Sequence, residues 1–351
     1  HSLSRRQRQM CIRDSNKLND LKEGKTNIII GTHALFQADV VFKDLRFAVV
    51  DEQHRFGVNQ RLELGKKGSG VDLLIMTATP IPRSLALAQY GDMDISQIKQ
   101  KPLGRKPINT ALISSSRIDE VVDKLKKSLA KGAQAYWVCP LIEESEVLNY
   151  TAAERRFAHL RAKLGEGVAE LVHGKMASDT KDKIMDRFIS GHTKLLVATT
   201  VIEVGVNVPS ANIIVVENAE KFGLAQLHQL RGRVGRGTNQ STCLFLYKEP
   251  LNISSKKRLS ILRETEDGFK ISEVDLSLRG SGDAIGTAQS GLPRFRMADI
   301  DIITMLMETA HQQARYLLSK DPNLETPQGK AARNLLWLMD QDKSIQLITV
   351  G

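Results

Sequence analysis

Two adjacent carboxylates, Asp51 and Glu52, stand directly after a short apolar run, Arg46 to Val50. An acid at the carboxyl end of a parallel strand lies on the sheet edge where ligands bind, and there it can hold a magnesium ion that neutralises nucleotide phosphates. A second acid beside it can orient or deprotonate an attacking water. Taken alone, such a pair is more often a solvated strand end, so its meaning depends on what accompanies it. The stretch DLLIMTATPIP, Asp72 to Pro82, sets Thr77 and Thr79 beyond a second apolar run. TVIEVGVNVP, Thr200 to Pro209, follows another, with Gly205 permitting close backbone approach and Asn207 able to bond a hydroxyl. QLHQLRGRVGRG, Gln226 to Gly237, places Arg231, Arg233 and Arg236 in a glycine-bearing segment where guanidinium groups can reach a phosphate.

The elements that must position these groups are legible as an alternation of β-rich runs and helical patterns, which signifies parallel sheets wrapped by helices. Nine strands are expected: Asn27 to Ile30, Arg46 to Val50, Asp72 to Met76, Asn109 to Ser114, Gln134 to Cys139, Ala169 to Val172, Lys194 to Ala198, Asn212 to Val216 and Thr242 to Tyr247. Between the fourth and fifth, Ser116 can cap a helix with Asp119 three residues on. Ile118, Val121, Val122, Leu125 and Leu129 then share one face before Gly132. The Pro- and Gly-bearing KPLGRKPI, Lys101 to Ile108, is read as a linker between two α/β units. After about Leu251 the pattern is mainly helical, with one Gly-rich interruption from Arg279 to Gly291.

Bulk properties narrow the field. With 351 residues, 41% of them hydrophobic, the chain can bury two cores of ordinary size and part of a third. A formal net charge of +10 points to a polyanionic partner. Nucleic acid is favoured over membrane, because no stretch approaches the ~18 uninterrupted apolar residues of a spanning helix. Cys11, Cys139 and Cys243 are odd in number and far apart, so neither a metal cluster nor a disulfide framework is expected, and the chain reads as intracellular. The Arg- and Ser-rich residues 1–15 fit nothing that follows and are read as a disordered or foreign end.

Together DEQHRFGVNQR, TATPIPRSLAL, YWVCPLIEESE, LVHGKM, ATTVIEVGVNVP and QLHQLRGRVGRG resemble the helicase motifs of superfamily two. The match is nearest to its branch that remodels branched DNA. A transcription-repair coupling factor, the alternative within that superfamily, is expected to read DEEQRFG where residues 51–57 read DEQHRFG. The resemblance implies an α/β protein with two RecA-like lobes, the first truncated (16–108) and the second at 109–250, followed by a helical translocation module at 251–351. It implies ATP and Mg²⁺ as cofactors, branched duplex DNA as partner, a monomer, and a bacterial cytoplasmic location. By it, Asp51 holds magnesium and Glu52 activates water, while Gln53 and His54 couple the nucleotide state to DNA. Arg233 and Arg236 face the γ-phosphate with Gln229 beside them, and Gly205 and Asn207 border the nucleotide. Asn207 stands where many members have Asp, which keeps a ribose contact but loses a charge. Gly31, Thr32, His33, Thr77, Thr79, His173, Gly174, Thr199 and Thr200 match motifs that grip DNA or couple to it. DGFKISEVDLSLRGSGDAIGTAQSG resembles a translocation motif, from which Arg279 and Gln289 are carried over.

A phosphate-binding loop requires GxxxxGK[ST] after a strand and before a helix. Gly24-Lys25-Thr26 imitates only its last three letters, because Asn19 occupies the position of the first glycine and the tripeptide precedes an expected strand. It is read as a helix-ending turn. No other Gly-Lys has the required glycine, so the chain is expected to be a C-terminal piece carrying the second half of a nucleotide site. The competing reading from another class is a DNA-binding piece that does not hydrolyse ATP.

Overall fold

The computed structural model describes residues 16–52, 64–78, 80, 94–102, 104–140, 146–199, 208–283 and 300–339. These fall into two compact units, one drawn from His1–Ala78 and Thr309–Gly351, the other from Thr79–Glu308.

The second unit is a six-stranded sheet of β3 (Ile108–Ser114), β4 (Gln134–Val138), β5 (Ala169–Val172), β6 (Leu195–Ala198), β7 (Ala211–Val216) and β8 (Ser241–Tyr247). Its order is β3-β8-β7-β4-β6-β5, and every pairing is parallel. All five residues of β4 are buried, and successive residues face opposite cores as the pleat demands. Ala135 and Trp137 meet helices α1 (Ile118–Ala130) and α2 (Glu146–Leu164) through Val121, Leu125 and Leu160. Tyr136 and Val138 face the other core, where Phe188, Leu227 and Leu259 come from α3 (Ser178–Ile189), α4 (Leu224–Arg231) and α5 (Ile253–Glu264). Ile271 of the next helix, α6 (Gly268–Asp283), is buried in that same core. This is the doubly covered parallel sheet of an α/β fold.

Helix α1 buries Val121, Val122, Leu125 and Leu129 as the spacing predicts, and Gly132 ends it at φ +92°. The expected cap is displaced. Ser115–Arg117 form a 3₁₀ turn whose N-cap is Ser114, and its hydroxyl accepts from the Ser116 N–H; α1 itself begins after Arg117 with no side-chain cap. Three consecutive serines offer three possible oxygens, and the one at the end of β3 is the one taken.

In the first unit, β1 (Phe47–Val50) and β2 (Asp72–Ile75) pair in parallel, with Val50 opposite Ile75. Leu21, Val40, Val50 and Leu64 are buried, whereas Phe47, Val49 and Leu74 are about half exposed. Residues 16–23 are helical and end as the glycine predicts: Gly24 adopts φ +74°, its N–H bonds Leu21 O at 3.1 Å, and the Lys25 N–H bonds Asp20 O at 2.8 Å. That pair of bonds is a Schellman ending, so Gly24-Lys25-Thr26 closes a helix where a phosphate loop would open one. Asn27 to Ile30, expected as a strand, is irregular, with Ile28 81% and Ile30 93% exposed. An apolar run becomes a strand only against a neighbour, and among the described residues none pairs with it.

After Leu251 every regular element described is a helix: α5, α6, α7 (Ile300–Lys320) and α8 (Pro327–Leu338). Helix α6 carries on through Arg279, Gly280, Ser281 and Gly282 to Asp283, so the start of the expected Gly-rich interruption is helical. Partly buried Val274 and Leu278 follow Ile271 along the apolar side of α6 and outweigh the roughly 1 kcal/mol that each helical glycine costs. The remainder of that stretch, with Gln289, lies outside the described residues.

Candidate functional site

Asp51 is the first residue past β1 and Met76 the first past β2; the Met76 N–H still bonds Val50 O at 2.8 Å, so Thr77 follows on the same carboxyl edge as Glu52. Asp51 is exposed and its Oδ1 accepts the Glu52 N–H at 2.8 Å. Glu52 stands at φ +52°, a left-handed conformation that costs a non-glycine residue ~1–2 kcal/mol. Such strain gathers where a side chain must be aimed. Among the described residues no group of three or more metal-binding side chains exists. An exposed carboxylate on this edge fits the way magnesium usually binds, through one or two carboxylates plus substrate oxygens. Gly31 and Thr32 are exposed ahead of the 3₁₀ turn His33–Phe36, where Leu35 N–H bonds Thr32 O at 3.0 Å. Gln53, His54, Thr79 and the His33 side chain lie outside the described residues.

In the second unit the candidates separate onto two edges of one sheet. Gln229 lies on α4, and the turn after it carries Arg233 and Arg236 to the amino edge. There Gly235, at φ +76°, packs so closely that a Cβ would meet Ile108 Cγ1 at 2.9 Å, and a Cβ on Gly237 would meet the Pro209 carbonyl oxygen at 2.8 Å. Ile108 opens β3 and Pro209 lies two residues before β7, so glycine is required twice to seat this turn. Arg233 and Arg236 are partly exposed, and Arg236 Nε donates to Gly232 O at 3.2 Å. Burial pushes the Tyr136 phenol on β4 up to about 12, against the opposing influence of Arg233 and then Arg236, so both guanidinium groups stand within electrostatic reach of that strand.

Arg231 corrects the sequence reading. It does not reach outward: 2% exposed, its guanidinium donates to Leu262 O at 2.5 Å and Thr265 O at 2.9 Å, carbonyls at the end of α5. It also contacts His228 Nδ1 at 2.9 Å. An arginine that bears only donors makes that ring nitrogen the acceptor, so the imidazole is neutral. Burial, aided by Arg231, lowers the His228 pKa to about 4. Arg231 thus ties two helices, whereas Arg233 and Arg236 are partly exposed.

On the carboxyl edge, Val172 and Ala198 pair, which sets His173 and Thr199 side by side as the first residues past β5 and β6. Thr199 is fully buried, its hydroxyl lacking a hydrogen-bond partner among the described residues, while Gly174 is exposed and its carbonyl accepts from Lys181 Nζ at 2.7 Å. Thr200, Gly205 and Asn207 lie outside the described residues, as does the Arg279 side chain.

Sequence reasoning passed over Glu217, the first residue past β7. Its side chain is 14% exposed, and it accepts from Trp137 Nε1 at 2.5 Å and from Arg156 Nε and Nη2 at 2.5 and 3.1 Å. The signal that could have found it is the one that found Asp51: an acid straight after a β-branched run.

Three family models match this chain: the DEAD/DEAH box helicase at residues 6–87, the helicase conserved C-terminal domain at 116–238, and domain 3, C-terminal, of the ATP-dependent DNA helicase RecG at 265–350. Among curated proteins, the chain is 49% identical to the ATP-dependent DNA helicase RecG of Pasteurella multocida over 88% of its own length and 46% of the relative's. It is 46% identical to that of Bacillus subtilis over 93% and 48%. The chain thus spans about half the length of the curated relatives it matches. A solved RecG bound to a three-way DNA junction superposes with a TM-score of 0.63 at 40% identity, covering 85% of this chain and 38% of that one.

Proposed function

This chain belongs to the RecG family of DNA helicases, and from that premise we propose that it forms the motor portion of an ATP-driven translocase that remodels branched duplex DNA in recombination and repair. Binding and hydrolysis of ATP change the relation of two RecA-like lobes, 16–108 and 109–250, and a helical module at 251–351 carries that change to DNA. When bound, magnesium supplies charge that offsets the phosphate oxygens. Asp51, exposed on the carboxyl edge of β1, would hold that ion. Glu52, aimed by its left-handed backbone, takes a proton from the attacking water. Arg233 and Arg236, on a turn locked at both glycines, meet charge developing on the γ-phosphate. Gln229 supports them, and Gly205 and Asn207 border the nucleotide. Gln53 and His54 pass the nucleotide state on. Gly31, Thr32, His33, Thr77, Thr79, His173, Gly174, Thr199 and Thr200 grip or couple to the DNA backbone, and Arg279 and Gln289 serve translocation. A monomer in the bacterial cytoplasm is the proposed setting; among the described residues no helix is long and apolar enough to cross a membrane.

The observation that carries this reading is the arginine turn. Arg231 is consumed by internal carbonyls, whereas Arg233 and Arg236 remain partly exposed on a backbone that two close glycine contacts hold in place. Preorganised cations of this kind stabilise transition-state charge without reorganising. In the full-length protein that carries this sequence, Arg236→Ala should slow DNA-stimulated ATP hydrolysis by ~10³- to 10⁵-fold while weakening DNA binding far less. Equal, small losses in both would make Arg236 a DNA or surface contact.

A second reading applies to the 351-residue chain by itself, whose sequence holds no GxxxxGK[ST] and whose Gly24-Lys25-Thr26 ends a helix. It binds DNA through phosphate contacts and does not hydrolyse ATP. Robust hydrolysis by the purified chain, abolished by Glu52→Gln, would overturn it.

A further inference from the structure

Glu266 lies in the three-residue connection Thr265-Glu266-Asp267 between α5 and α6, and each residue of that connection is tied down. The Thr265 carbonyl accepts from Arg231 at 2.9 Å, and its hydroxyl accepts the Asp267 N–H at 3.0 Å. Asp267 Oδ1 accepts the Phe269 N–H at 2.9 Å and so caps α6. Glu266 reaches the other way. One carboxylate oxygen accepts the backbone N–H of Ile108 and the other pairs with Lys101 Nζ, with 21% of the Glu266 side chain and 50% of the Lys101 side chain exposed. Lys101 and Ile108 are the two ends of KPLGRKPI. Inside that span, Pro107 O accepts from Gln240 Nε2 at 2.6 Å. By contrast, residues 94–99, immediately before, are irregular and exposed, with Ile98 at 91%.

The same connection touches the catalytic motifs through α4. Arg231 and His228 stand one turn apart, and Arg233 and Arg236 follow two and five residues later in the chain. Gly268, which opens α6, is hemmed in from two sides: a Cβ there would meet Pro80 Cγ at 2.5 Å and His228 Nε2 at 2.9 Å. Pro80 belongs to the TATPIP motif and His228 to the QLHQLRGRVGRG motif. Bonds and packing therefore run from the arginine turn, through Arg231 and His228, to Thr265 and Gly268, and through Glu266 to both ends of the linker.

We infer that Glu266 is a positioning residue for coupling: its carboxylate clamps both ends of linker 101–108 to the root of α6, so that a change at the arginine turn reaches linker and translocation helix together. The linker then hinges ahead of Lys101, among residues 94–100, and not at its own Pro and Gly residues. Glu266 touches no nucleotide group and takes no part in bond breaking. This rests on the helicase reading proposed above.

Three variants separate the parts of the clamp. Glu266→Ala removes both bonds, Glu266→Gln keeps an acceptor for the Ile108 N–H but loses the ion pair, and Lys101→Met loses only the ion pair. The first measurement is hydrogen exchange on this 351-residue chain, which needs no activity. Glu266→Ala should speed exchange at Ile108 and the first turn of α6 by about tenfold, with a smaller effect in the other two and none in the β4 and β6 amides. The second is paired ATPase and fork conversion on the full-length protein that carries this sequence. Glu266→Ala should lower forks converted per ATP by roughly tenfold while hydrolysis stays within about threefold of the parent, with Glu266→Gln and Lys101→Met in between. Unchanged exchange in Glu266→Ala, or a proportional fall of ATPase and conversion, would overturn the clamp. A parent that converts no forks would instead sink the helicase reading and leave the exchange result to judge Glu266.

Discussion

After β1 the chain reads Val49-Val50-Asp51-Glu52, and after β7 it reads Val215-Val216-Glu217-Asn218. The backbone repeats as well: an acid directly past a parallel strand is followed by a left-handed residue, Glu52 at φ +52° and Asn218 at φ +48°. The surroundings then diverge. Glu217 is saturated, with both oxygens held by Arg156 and one by Trp137, whereas Asp51 is exposed and, among the described residues, accepts one backbone bond at one oxygen. Charge can be engaged in holding helix α2 to the sheet or kept open for a ligand, and the same local sequence serves either. What decides is the partner helix: α2 brings Arg156 to Glu217, and no ion pair to Asp51 exists among the described residues. Polar groups that are already satisfied stabilise, and those left open carry chemistry.

The largest expected effect breaks the comparison on its open side. In the full-length protein, Glu52→Gln should lower ATP hydrolysis by ~10²- to 10⁴-fold, the usual worth of a general base, while leaving the melting temperature near that of the parent. Unaltered hydrolysis would place Glu52 with Glu217 among the structural acids.

The saturated side should respond in the opposite sense. Glu217→Ala leaves Arg156 without its carboxylate and the Trp137 indole N–H without an acceptor, so it should cost roughly 2 kcal/mol of stability. DNA-stimulated hydrolysis per folded molecule should stay within about twofold, because the group serves packing and not the nucleotide site. Denaturant unfolding of parent and variant checks the first half and an ATPase assay the second. A stable, inactive Glu217→Ala protein would reverse the assignment.

How much of this could be read beforehand follows the same division. Eight of the nine expected strands form, because β-branched apolar runs declare themselves whenever a neighbouring strand covers them. Asn27 to Ile30 reads just as apolar and is irregular, since pairing is a property of the partner and is invisible in the run. Asp51 was visible by type and place, but the identical signal at Glu217 went unread without the company of other motifs. Spacing singled out three arginines in QLHQLRGRVGRG as able to reach a phosphate. It could not show that Arg231, in the last turn of α4, points inward to the end of α5, thirty-one residues on from it in the sequence. The cap expected at Ser116 falls instead on Ser114, ahead of a 3₁₀ turn and not of α1 itself, for a similar reason: Ser114, Ser115 and Ser116 are equivalent in sequence and differ only in where β3 ends.

The inward Arg231 also sets a pH dependence. The folded protein keeps His228 neutral until about pH 4, while the unfolded chain binds that proton near the ordinary histidine value of 6.5. Between those values the unfolded state holds more protons, so stability is full above about pH 6.5 and declines as pH falls toward 4, by up to a few kcal/mol. His228→Gln retains an acceptor for Arg231 and cannot titrate. Chemical denaturation across that window should therefore show a shallower decline in the variant, and identical slopes would mean that other groups govern acid stability.

The smallest expected effect tests whether the two left-handed corners are equivalent in backbone and differ only in occupant. Asparagine enters this conformation more readily than glutamate or glutamine, because its short amide bonds locally to the backbone. Asn218 therefore sits at φ +48° with little strain, and Glu52 at φ +52° carries more. Removing the charge from Glu52 confounds charge with strain, but two neutral replacements separate them. Glu52→Asn and Glu52→Gln both lose the carboxylate, and only the first relieves the backbone. Glu52→Asn should be the more stable of the two by roughly 0.5–1 kcal/mol, and Asn218→Gln should be less stable than the parent by a similar amount. Both proteins with Glu52 replaced should be equally slow in hydrolysis, since neither carries the base. If Glu52→Asn and Glu52→Gln unfold at the same denaturant concentration, the corner after β1 is unstrained, and the aim of Glu52 must come from its side-chain surroundings. A stability gain of Glu52→Asn over Glu52→Gln would show that the corner after β1 is strained in the parent, since the two variants lose the same carboxylate and differ in how readily they enter the left-handed region.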